Sequence, residues 1–276
     1  MADEKVEQER ILRTEPLYPS DTLKLPVGIV KPGDPTRYRT ITIDELCGVD
    51  EELIATTKVR RNASLATTKI LSRCIQTIPG LVQDKTNPHS QFPDQLVSKC
   101  MTQIDRDFVL LAILVLSGRD ETVVSGHCEN CDIRIEENLK FQDLEVYDWP
   151  EDAPLSISGT LPKGYVDKDG NTHRDFTMRF VTGDIQELVL KNSGGNSGKA
   201  SSLLIGATME KLGDLEAVDS DVAVRRRTSD RQYIGALQQS KLPGVMLTKK
   251  IECEDCGRSQ DGVVDLSGFF AEAWRL

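Results

Sequence analysis

The chain has 276 residues, 38% of them apolar and 28% charged, and carries a formal net charge of −10. That size and balance suit one large or two ordinary soluble domains with a substantial buried core. The acid excess excludes a nucleic-acid-binding face as the main business, since such a face neutralises phosphates with basic residues, and the longest apolar run, residues 108–116, is too short to cross a bilayer.

In chain order, residues 1–22 read as a charged N-terminal arm without a sustained apolar stripe, disordered alone or ordered by a partner. The arm does not have the charged-then-apolar pattern of a secretory leader, so synthesis in a reducing compartment is expected. Leu25-Pro26-Val27-Gly28-Ile29-Val30 and Arg37 to Ile43 then read as strands around a Pro/Gly turn, the second alternating apolar and polar residues. Thr42 followed by Glu45 has capping-box spacing and predicts a helix start. A helix is predicted over 63–77, a Pro-containing loop over 86–93, and an apolar helix from Ile104-Asp105-Arg106-Asp107-Phe108. A strand from Glu121 to Val124, the knuckle His127-Cys128-Glu129-Asn130-Cys131 and a returning strand complete this first stretch.

A linker is expected around 148–154, after which the same order of pieces returns. Leu161-Pro162-Lys163-Gly164 echoes Leu25-Pro26-Val27-Gly28, Asp169-Gly170 makes a hairpin turn, Asp175 to Val181 is an alternating strand, and Asp184 to Glu187 opens a helix. A second helix is predicted over 199–212 and another at Ser229-Asp230-Arg231-Gln232-Tyr233, where Ser229 and Gln232 have capping-box spacing. Asp105 and Asp230 lie 125 residues apart, as do Cys128 and Cys253, while Pro26 and Pro162 lie 136 apart. Equal offsets at independent landmarks predict an α+β protein of two duplicated halves, 23–148 and 149–276, each with a β-hairpin, a few helices and a C-x-x-C knuckle hairpin. The period is far longer than that of a solenoid repeat.

The cysteines carry the chemistry. Seven Cys in this length give roughly 0.2 C-x-x-C pairs by chance, yet Cys128/Cys131 and Cys253/Cys256 make two. Two thiolates two residues apart turn toward one ion, and two such loops supply the four ligands of a closed tetrahedral Zn2+ site. The separation between the pairs means that distant parts of the fold must meet, which a rough two-fold between halves would achieve. The bland alternative is four inert thiols. A redox pair opening a helix does not suit the strand or turn that follows each motif, and a disulfide framework does not suit the odd count.

Other constellations point to no chemistry. Gly194 to Ser201 looks like a phosphate-binding loop but has the wrong spacing, and Ala200 stands where the magnesium-binding hydroxyl belongs. His89, His127 and His173 share no spacing with carboxylates that argues for catalysis or a metal. His127-Cys128-Glu129 matches half of a zinc deaminase pattern without the P-C-x-x-C half. The basic runs Lys58-Val59-Arg60-Arg61 and Arg225-Arg226-Arg227 read as solvated patches, and the Asp-Arg pairs as structural features of helix starts.

The order of pieces resembles the baseplate hub assembly proteins, or hub assembly chaperones, of T-even-type phages and related contractile injection systems. The likeness rests on Leu161-Pro162-Lys163-Gly164, on Met178 to Glu187, which is similar to an Arg-Pro-Leu-Thr-Gly-x-Asp-Glu signature with Phe180 for Pro and Val181 for Leu, on Asp105-Arg106-Asp107-Phe108, and on the Cys128 to Cys131 knuckle. It implies a non-enzymatic structural or assembly role in a phage tail baseplate hub, with other hub or tail proteins as partners and no nucleic acid, membrane or small-molecule substrate. It also implies location in the host cytoplasm during assembly and in the virion. The other class open to the sequence is a zinc-stabilised cellular adaptor unrelated to phage, and an enzyme ranks third.

Overall fold

The computed structural model describes residues 9–14, 20–49, 62–81, 93–119, 121–215 and 227–264, with positions 52, 218 and 222. The fold is mixed α+β. In chain order the elements used below are β1 (Ile11–Leu12), β2 (Thr22–Val30), β3 (Arg37–Ile43), α1 (Ala63–Cys74), β4 (Ile75–Thr77), α2 (Asp94–Cys100), α3 (Gln103–Leu116), β5 (Glu121–Cys128), β6 (Ile133–Lys140) and β7 (Val146–Asp148). They continue as β8 (Ser156–Val166), β9 (Thr172–Arg179), α4 (Gly183–Ser193), α5 (Ser197–Thr208), β10 (Met209–Leu212), α6 (Thr228–Lys241), β11 (Gly244–Val245), β12 (Thr248–Glu252) and β13 (Ser259–Val264).

Two three-stranded sheets, β2-β3-β4 and β10-β9-β8, are built alike: a hairpin, then a helix that runs straight into a third strand beside the second. The helices predicted over 63–77 and 199–212 are shorter than expected for this reason. α1 stops at Cys74 and α5 at Thr208, and the next residues, Ile75 and Met209, take extended backbone and pair with Ile43 and Met178. Ile75 and Met209 are buried there, and the β-branched Thr77 faces Thr42, hydroxyl to hydroxyl at 2.6 Å. Sheet pairing outweighs the helical tendency of the preceding turn.

Each hairpin shifts register at its Leu-Pro-x-Gly segment, between Lys24 and Ile29 in one and between Thr160 and Tyr165 in the other. Gly28 and Gly164 have φ of 101° and 78°, a conformation that strains any other residue. The bulge withdraws backbone N–H groups from the ladder, and a buried carboxylate receives them. Val27 and Gly28 donate to Asp105 at 2.9 and 3.0 Å, and Lys163 and Gly164 donate to Asp230 at 2.8 and 3.1 Å. Both Asp side chains are fully buried at a helix start. The Arg that follows each reaches the helix packed beside it. Arg106 donates to the Ser64 carbonyl and the Thr68 hydroxyl of α1, and Arg231 to the Gly198 carbonyl and the Ser202 hydroxyl of α5.

Neither Thr42 nor Ser229 is the N-cap of a described helix. Thr42 lies inside β3 with its hydroxyl on Thr77, and the helix expected after it falls largely outside the described residues. At α6 the N-cap is Arg227 with no side-chain cap bond, because Ser229 already lies in the first turn. The expectation that the arm is disordered or held by a partner also needs correction for residues 10–13. β1 pairs with β7, Arg13 bonds Asp148 at 2.6 Å, and the Arg10 guanidinium stacks 4.1 Å over Tyr147. The region 148–154 is equally integrated. Trp149 is buried edge-on to Phe180, its backbone N–H donates to the Pro26 carbonyl, and its ring N–H donates to the Pro154 carbonyl.

Two apolar clusters result. One gathers β2, β3, α1 and the nearly all-round apolar α3, and the other gathers Trp149, β8, β9, α5 and α6. Chain order and clusters do not coincide, since Ile251, Cys253 and Val264 pack into the first and Val27 into the second. α4 bridges them. Gly183 lies so close to Arg106 that an added Cβ would sit 2.1 Å from Nη1, and Arg106 is locked by its bonds to α1. Gly183→Ala is therefore expected to destabilise the fold by about 1–3 kcal/mol through overpacking. Gly48→Ala, where nothing lies within 4 Å, should stay within about 0.5 kcal/mol, read as the difference in urea midpoints.

Candidate metal centre

The two C-x-x-C motifs occupy matching turns. β5 ends on Cys128, and the Asp132 N–H closes the turn on the Cys128 carbonyl at 2.8 Å. After β12, the Gly257 N–H closes on the Cys253 carbonyl at 2.8 Å. Both closing residues sit in left-handed backbone, φ 57° at Asp132 and 67° at Gly257, which Gly adopts freely and Asp tolerates. The turns face each other because β13 joins β5, with Val263 opposite Ser125 and Val264 opposite Val124, so the hairpins form one sheet ordered β12-β13-β5-β6.

That sheet brings Cys128, Cys131, Cys253 and Cys256 together, with all four sulfurs within 4.8 Å of one another. Cys128 and Cys256 are 3.7 Å apart, and Cys131 and Cys253 are 3.9 Å apart. A tetrahedron with metal–sulfur bonds of about 2.3 Å has an edge of about 3.8 Å. A disulfide needs about 2.05 Å, and all four are free thiols. The first Cys of each pair is buried and the second half-buried, so the cluster sits at the edge of the first core. The four thiols fit a metal ion held in a closed shell.

The local field separates the thiols. The Arg258 backbone N–H lowers Cys256 to about 7. Its hydrogen bond to Cys256, followed by desolvation, pushes Cys131 up to about 12, and burial raises Cys253. Two amide side chains also approach the sulfurs, Asn130 at 3.8 Å from Cys131 and Gln260 at 4.0 Å from Cys128. Neither stood out in the sequence. Asn130 lies within its motif, but Gln260 is marked only by the strand register that folds β13 back over the site.

The remaining sequence candidates lie elsewhere. His127 is largely exposed, with Nε2 3.3 Å from Asp132, and His173 is buried 3.0 Å from Asp167. The His173 hydrogen bond holds the Asp167 carboxyl well below the usual range. His89, the run Lys58 to Arg61, and Arg225 and Arg226 fall outside the described residues. The loop that looks phosphate-binding joins α4 to α5, where Gly194 ends one helix in left-handed backbone and the Asn196 side chain caps the next. Among the described residues no helix is long and apolar enough to cross a membrane. Comparison with protein-family models, with curated proteins and with solved structures gives no match.

Proposed function

We propose that this chain is a non-enzymatic structural or assembly component whose two halves, products of an internal duplication, are braced by one four-cysteine zinc site. The observation that carries the reading is the convergence of Cys128 and Cys131 with Cys253 and Cys256 at the edge lengths of a sulfur tetrahedron. Four thiolates leave no open coordination position, so a bound ion would hold structure and would not activate water. Zinc suits this donor set because soft thiolates in tetrahedral array favour it, and it brings no redox chemistry of its own. Duplication is supported by the paired Asp-to-bulge bonds, the paired Arg-to-helix bonds and the matching turn closures.

The setting we propose is the baseplate hub of a contractile phage tail, with other hub or tail proteins as partners. Support comes from the sequence resemblance, whose short motifs do structural work here: Leu161 to Gly164 is the clamped bulge, Met178 to Glu187 is the strand-to-helix passage, and Asp105-Arg106 is the clamp. Mass spectrometry of purified tails is expected to detect the chain, and its deletion to yield particles that lack a complete baseplate. Normal particles from the deletion strain would instead favour a zinc-stabilised adaptor unrelated to tails.

A further inference from the structure

We propose that the cavity where the start of α3 meets the ends of β9 and α6 is a binding site for a primary ammonium on an alkyl stem, with Asp107 holding the charged end. The inference depends neither on the metal nor on the tail setting.

The cavity measures about 240 Å3 and is partly open to solvent. Ile104 of α3, Ile157 of β8, Phe180 and Val181 after β9, and Leu242 and Val245 after α6 give it apolar walls, and Gln103, Asp107 and Gln238 add polar groups. An apolar cavity of about 150 Å3 takes benzene, so this one has room for a molecule of about seven to ten heavy atoms. Its walls are tied together through the backbone. The Gln103 N–H donates to the Val181 carbonyl at 2.7 Å, and Gly244, with φ 106°, lies so close to α3 that an added Cβ would sit 2.7 Å from Ile104 Cγ2. Arg10 of the first strand secures the end of α6 by donating to the Gln239 and Leu242 carbonyls at 3.3 and 3.0 Å. A ligand entering here meets a formed site and costs little ordering of the chain.

Asp107 is the charged residue of Asp105-Arg106-Asp107-Phe108 that the clamp leaves unused. Asp105 takes the bulge amides and Arg106 turns onto α1, and at the matching start of α6 the residue two places after Asp230 is the exposed, neutral Gln232. A helix start of this kind therefore needs no carboxylate at that place. Asp107 is half-buried in the cavity wall, where burial raises its carboxyl to about 6 and the charge of Arg106 and the Gln103 side chain pull it back only in part. Such a carboxylate gains from a cation that enters beside it. An ammonium brings a full charge and three donors, and the Gln103 amide, one turn away, offers a further acceptor. Arg179, the cation on the same wall, is exposed and held on the Ala207 carbonyl at 2.9 Å, so it stands at the rim. The charge order, anion within and cation at the mouth, favours an ammonium over a carboxylate as the buried end. The apolar walls then take the alkyl stem, whether of a free amine or of a lysine side chain on a partner.

Amide NMR spectra of the full chain at pH 8, where Asp107 is ionised, titrated to about 20 mM with hexylammonium, 1-hexanol or hexanoate, test this. Hexylammonium is expected to shift the amides of Gln103, Ile104 and Gly244, with a Kd about tenfold or more below that of 1-hexanol, the effect of one charge-assisted hydrogen bond. Asp107→Asn should erase that difference and leave 1-hexanol binding unchanged. Circular dichroism checks that the variant folds, and if it does not, the comparison of the three ligands on wild type decides alone. The peptide acetyl-Gly-Lys-Gly-amide separates the sources: shifts at the same amides point to a partner's lysine, and shifts from hexylammonium alone point to a free amine. No shift at these amides with hexylammonium, binding of hexanoate or 1-hexanol as tight as that of the amine, or a folded Asp107→Asn that binds the amine like wild type would overturn the proposal.

Discussion

Cys253→Ser is expected to strip the metal from the purified protein and to release the hairpin β12–β13 from the body of the fold. The hairpin is held by two residue pairs with β5, by the Lys249–Glu137 ion pair to β6, by burial of Ile251 and Val264, and by the thiol cluster. Structural zinc contributes about 10–16 kcal/mol of apparent binding free energy in small peptides, comparable to the roughly 5–15 kcal/mol that stabilises a whole domain. Two apolar side chains contribute only about 1.5–3 kcal/mol each, so with an ion bound the sulfur–metal bonds would dominate. Hydrogen exchange should show amides 248–264 losing protection while α1 and α3 keep theirs. A strong chelator added to wild type should reproduce the pattern, and Cys47→Ser, which lies outside the cluster, should not. Equal protection of the hairpin with and without metal would remove the brace from the account.

Asp105→Ala is expected to be the most damaging substitution away from the cysteines. It leaves the N–H groups of Val27 and Gly28 buried without their acceptor, at about 1–3 kcal/mol each, so a loss of about 2–6 kcal/mol should appear in urea unfolding. Asn should rescue little, because one of its two atoms would turn an N–H toward an N–H. Burial raises the Asp105 carboxyl to about 6 against the pull of the two backbone donors. A group whose folded pKa lies above its unfolded value of about 3.9 stabilises most at low pH and loses that contribution as pH rises through about 6. The gap between wild type and Asp105→Ala should therefore be widest near pH 4 and narrower at pH 7. Asp230→Ala should also destabilise, since it clamps the second bulge in the same way.

What could be read from the sequence was what is local and periodic. The alternation in Arg37 to Ile43 and the apolar run of α3 gave elements close to those observed, and the C-x-x-C spacing named the four sulfurs that come together. What escaped reading depends on partners far along the chain. Ile75 and Met209 look like the last turn of a helix and become strand only because Ile43 and Met178 lie beside them. Ile11 and Leu12 carry no strand signal of their own, and β7 supplies it. The Asp-Arg pairs were legible as helix-start features, but their acceptor role needs the bulge amides, which the fold delivers from 77 and 78 residues away in one case. Gln260 came to the thiols by register alone.

Zinc-edge X-ray absorption together with elemental analysis of the purified full-length chain tests the brace most directly. The expected result is one zinc per chain surrounded by four sulfurs at about 2.3 Å. A folded chain free of metal, or a zinc shell containing nitrogen or oxygen in place of any of the four thiolates, would contradict it.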